Sequence, residues 1–76
     1  MDTPRTLYQR VERALRLLSE DPATKMYADV GLFQLQHHAC EYMAGRYDDA
    51  LFVRTIEATE RNVSEAIERN VLDANS

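Results

Sequence analysis

The sequence predicts an all-α fold of three helices, at about 4–19, 22–44 and 47–73, with the second and third forming an antiparallel hairpin. Three observations carry this. From position 47 onward, Phe52, Ile56, Val63, Ala66, Ile67 and Val71 recur on one helical face, with Thr59 filling a gap in the row. The two glycines and two prolines fall where helix boundaries or a kink belong. No stretch alternates with the period of a strand. At 76 residues the chain reads as a single small helical domain, 1–76, near the lower limit for an independent core.

The first helix starts at Thr3, a side chain suited to cap a helix, followed by Pro4 at the position where a missing N–H costs nothing. Leu7, Val11, Ala14, Leu15 and Leu18 form its apolar stripe, flanked by Tyr8 and Leu17. Ser19-Glu20-Asp21-Pro22 ends it, because proline disfavours helical geometry in the residue before it. The same Asp21-Pro22 pair is expected to cap and start the second helix. That helix presents Ala28, Leu32, Leu35, Ala39 and Tyr42 on its main face, with Met26, Phe33 and Met43 to the sides. Gly31 inside it costs about 1 kcal/mol relative to alanine. A kink, a weak first half over 22–30, or a close neighbouring backbone would each account for it.

Gly45 supplies the left-handed residue that commonly ends a helix. Asp48 and Asp49 then suit the first turn of the third helix, where negative charge meets the positive end of the dipole. At about 40 Å long, that helix carries a stripe that one short partner cannot cover. Glu57–Arg61 and Glu65–Arg69 have the favourable i,i+4 order. So short a turn at 45–49 forces the antiparallel hairpin. The first helix either folds back on it or reaches another chain.

Composition narrows function. Nine basic against 13 acidic side chains give a net charge of -4, a poor match for nucleic acid. The balance is uneven: residues 1–18 sum to +2 and residues 19–76 to -6. The first helix thus suits docking on the acidic remainder or, as a basic helix, meeting an outside partner. Cys40 is the single cysteine, so there is no internal disulfide and a reducing compartment is favoured. With no apolar run near 18 residues and no signal-peptide pattern, the expectation is a cytoplasmic protein with no membrane contact.

Chemistry is scarce. His37-His38 with Glu41 is the only metal-like cluster, and adjacent histidines diverge by about 100° with no further ligand at useful spacing. Cys40 lacks an oriented base, and no glycine-rich phosphate loop is present. The expectation is no enzyme, no metal and no cofactor. Tyr8, Tyr27, Tyr42 and Tyr47 are more informative, since tyrosine brings apolar area with a polar tip. Tyr42 and Tyr47 flank the hairpin turn, either stapling it or meeting a partner.

The run Glu41-Tyr42-Met43-Ala44-Gly45-Arg46-Tyr47-Asp48-Asp49-Ala50-Leu51 resembles a single tetratricopeptide-like turn, at 41–51. A second likeness lies in Thr6-Leu7-Tyr8-Gln9-Arg10-Val11-Glu12 and Thr55-Ile56-Glu57-Ala58-Thr59-Glu60-Arg61-Asn62-Val63. These stretches resemble the small needle co-chaperones of type III secretion systems, which are short helical hairpins. That resemblance implies binding to a helical tetratricopeptide-type chaperone and, with it, to a needle subunit kept from polymerising early. The expected partner-binding residues are Leu51, Phe52, Ile56, Val63 and Ile67 on the third helix, with Tyr42 and Tyr47. The favoured function is therefore a non-enzymatic protein–protein interaction module. Two alternatives stand beside it: a small acidic inhibitor using Glu57, Glu60, Glu65 and Glu68 against a host protein, and a self-assembling helical bundle.

Overall fold

The computed structural model describes residues 3–74, with side chains described through residue 71. Three helices follow one another: α1 (Pro4–Ser19), α2 (Lys25–Met43) and α3 (Asp49–Ala74). Among the described residues there is no strand. Every pair of helices packs together, so α1 folds back on its own hairpin.

At the start of α1 the Thr3 hydroxyl oxygen accepts the Thr6 N–H at 3.1 Å, and Pro4 takes the first helical position. Leu7, Val11 and Leu15 are buried and Leu18 is half-buried. Ala14, expected in that stripe, is exposed, because it stands one step off the axis of the row 7, 11, 15 and 18.

Two helix starts differ from the expectation. α2 begins at Lys25 rather than 22. The Asp21 carboxylate accepts the Ala23 N–H at 3.0 Å, and the Asp21 carbonyl accepts the Thr24 N–H at 3.0 Å, closing a turn instead of capping a helix. The Thr24 hydroxyl donates to the Leu18 carbonyl at 2.6 Å and so satisfies the open end of α1. α3 begins at Asp49 rather than 47. Asp48 lies just outside the helix and accepts the Leu51 N–H at 2.7 Å, the geometry of an N-cap.

Between these helices Gly45 has φ +82°. Its N–H donates to the Tyr42 carbonyl and that of Arg46 to the Glu41 carbonyl, both at 3.0 Å, closing the left-handed cap typical of glycine. α2 runs on through Gly31, which is buried at the point where the three helices converge. A Cβ there would lie 2.6 Å from Val63 Cγ2 and 3.3 Å from Leu15 Cδ1. Side chains, not a neighbouring backbone, occupy the space that glycine leaves.

The core joins Leu7, Val11 and Leu15 of α1 with Leu35 of α2 and Phe52, Ile56 and Val63 of α3. Thr59, also buried, donates its hydroxyl to the Thr55 carbonyl at 2.9 Å. Of the i,i+4 pairs, Glu12–Arg16 and Lys25–Asp29 close at 3.6 and 2.8 Å. Among the described residues Glu57–Arg61 and Glu65–Arg69 stay open.

Candidate functional site

α2 carries two apolar rows. The inner row, Ala28, Gly31 and Leu35, is buried against α1 and α3. The outer row, Met26, Val30, Phe33 and His37, follows at steps of 4, 3 and 4 and points away from the bundle. Met26, Val30 and Phe33 are 71%, 54% and 74% exposed. A helix apolar on all sides belongs in an interior, yet this one is covered on one side only.

That row forms one wall of a furrow between α2 and α3. One hollow, about 370 Å³, runs along Phe33, Gln34, His37 and His38 of α2 and Thr55, Ala58, Thr59 and Asn62 of α3. The next, about 210 Å³, runs along Met26, Tyr27, Val30 and Gln34 of α2 and Asn62, Val63 and Ala66 of α3. Gln34 and Asn62 line both, so the two form one furrow with a polar waist. The charges bordering it on α2 are closed within the chain: Lys25 on Asp29 at 2.8 Å, and Arg46 on Glu41 at 2.6 Å. No charged side chain lines either hollow.

Of the expected partner residues only Val63 lines the furrow. Phe52, Ile56 and Val63 are buried in the chain's own core, Ile56 completely, under α1 and α2. Leu51 and Ile67 are half-buried, Ile67 packed against the core. The row on α3 therefore finds its cover within the molecule.

Tyr42 and Tyr47 hold the hairpin turn. The Tyr42 ring stacks on Phe52 with centroids 4.1 Å apart, and its hydroxyl donates to Asp49 at 2.6 Å. That hydrogen bond raises the Tyr42 phenol above its ordinary pKa, with a smaller contribution from burial. Tyr47 places its hydroxyl 3.1 Å from His38 Nδ1. His38 is lowered below its ordinary value by burial and by His37 beside it, against the opposing pull of Glu41. On the α1 side, Tyr8 stacks on Phe52 at 6.2 Å and is raised by burial and by its hydrogen bond to Glu12.

His37 is exposed and His38 half-buried, with ring centroids 5.7 Å apart. Among the described residues no group of three His, Cys, Asp or Glu could hold a metal ion. No helix among them is long and apolar enough to cross a membrane.

No family model matches this chain, and no curated protein or solved structure matches it.

The outer row of α2 is what sequence reasoning misses. By spacing from the inner face, Met26 and Phe33 read as its flanks, and Val30 as part of no face. The signal is present all the same: 26, 30 and 33 themselves have helical spacing, offset to the far side of the helix from 28 and 35.

Proposed function

We propose that this chain is a non-enzymatic protein–protein interaction module that docks a helical segment of another protein along the outer face of α2 and the furrow beside it. One observation carries the reading: Met26, Val30 and Phe33 form an uncovered apolar row on a helix whose opposite side is already buried. Such a ridge and furrow suit an amphipathic helix whose anchors repeat every three or four residues. As the specific role we propose a secretion needle co-chaperone. Its support is the helical hairpin together with the likeness of residues 6–12 and 55–63 to that family. In this reading the contact surface moves from the α3 row, which the chain covers itself, to α2.

Phe33→Glu tests it. Phe33 is mostly exposed, so the variant keeps its helical circular dichroism while losing the partner. A partner retained at wild-type affinity would overturn the reading. Recovery of a helical-repeat chaperone with a needle-like subunit supports the co-chaperone role. Recovery of a single nuclease, polymerase or transcription factor would replace it with an inhibitor.

A further inference from the structure

We infer that the furrow takes a single partner helix of apolar–amide–apolar order: two apolar anchors about two turns apart and, midway between them, a glutamine or asparagine read by Gln34 and Asn62. This rests on the outer face of α2 being the interaction surface. The two hollows meet at Gln34 of α2 and Asn62 of α3. From one hollow to the other, the α2 wall steps from Met26 and Val30 to Phe33 and His37, and the α3 wall from Val63 and Ala66 to Thr55 and Ala58. Each wall thus advances by about two helical turns, roughly 11 Å. Because the two walls advance equally, one straight helix can fill both hollows with residues i and i+7 and turn residues i+3 and i+4 to the waist.

The waist decides the middle residue. Gln34 and Asn62 are both exposed, and neither side-chain amide has a partner among the described residues. A covering helix removes their water, and a covered amide left unmet carries the full cost of its desolvation. An all-apolar helix is therefore penalised here, whereas a side-chain amide, which both donates and accepts, satisfies the two together. A charged side chain is not matched either, since no opposite charge lines the hollows. On the α3 side Ala58, Thr59 and Ala66 are short, and they let a helix axis approach to about 8–10 Å. The chain's own outer row lacks the required order, because the apolar Val30 stands midway between Met26 and Phe33. A second copy presenting that row would bury both amides unmet.

Two designed peptide helices test this, each with leucine at positions i and i+7 and with either glutamine or leucine at both i+3 and i+4. Calorimetry measures their binding to the wild type and to Gln34→Leu/Asn62→Leu, which should keep its helical circular dichroism because both positions are exposed. The wild type should bind the glutamine peptide about tenfold more tightly. The double variant should reverse that order, with each single variant in between. Equal or tighter wild-type binding of the leucine peptide, an order left unreversed by the double variant, or no binding of either peptide at about 1 mM overturns the inference. So does a wild type whose mass doubles in sedimentation while Phe33→Glu stays monomeric, because the occupant is then a second copy. The interaction reading fails separately, if the peptides and a captured partner bind Phe33→Glu as well as the wild type, whatever the order of the two peptides.

Discussion

Gly31 of α2 packs directly against Val63 of α3: a Cβ at position 31 would lie 2.6 Å from Val63 Cγ2. Two opposing effects meet there. Alanine would gain about 1 kcal/mol of helix propensity, while overpacking against a stiff β-branched side chain costs about 1–3 kcal/mol. Gly31→Ala alone should therefore destabilise by about 1 kcal/mol. In a Val63→Ala background the contact with Cγ2 disappears and only the 3.3 Å approach to the flexible end of Leu15 is left, so the same change should cost less or become neutral. Denaturant unfolding of the four proteins in this cycle measures the sign. A Gly31→Ala effect unchanged by Val63→Ala would contradict the contact.

Ile56 has no exposed surface and sits among the buried side chains of all three helices. Ile56→Ala should cost about 2–5 kcal/mol, as loss of a buried aliphatic side chain does. Ile56→Asp or Val63→Asp should unfold the domain rather than spare it and remove a partner. Thermal melts followed by circular dichroism distinguish these outcomes. A folded Ile56→Asp variant would mean that α1 does not cover α3.

His38 gives the stability a pH dependence. Its folded pKa lies below the ordinary value of 6.5 because burial and His37 disfavour the charged ring. In that window the unfolded chain binds more protons than the folded one, so stability rises with pH. The contribution is present above about 6.5 and is lost as pH falls toward the folded pKa. His38→Gln, which keeps a polar group near the Tyr47 hydroxyl, should flatten the slope just below about pH 6.5. An unchanged slope would assign the dependence to other groups.

Much of the fold is legible in the sequence, because its punctuation is local. Thr3-Pro4 starts α1 and Gly45 ends α2 through bonds to residues within one turn. Asp21-Pro22 is half-legible. It stops α1, but the carboxylate closes its own turn and Thr24 is held by Leu18, a contact six residues back that no local rule supplies. The apolar row of α3 reads correctly as a face that needs cover. Spacing alone, however, does not say whether that cover comes from the same chain or from another. It therefore assigns Phe52, Ile56 and Val63 to a partner, whereas α1 and α2 take them. Gly31 is legible as an anomaly and not as a meeting point, since Leu15 and Val63 are remote from it in sequence. The outer row of α2 stands out only once the inner row is known to be filled.

Salt dependence separates the two classes of partner. No charged side chain lines the furrow, so affinity through it should change little between low and high salt. An acidic inhibitor acting through Glu57, Glu60, Glu65 and Glu68, all exposed but for the half-buried Glu60, should weaken steeply instead. A binding isotherm at two ionic strengths decides it.

The most direct test is co-purification of the tagged wild type and the Phe33→Glu variant from native cells, side by side, with helical content checked for both. A protein partner should be recovered with the wild type and lost with the folded variant. The same partner recovered equally with both would contradict that and move the interaction surface off α2.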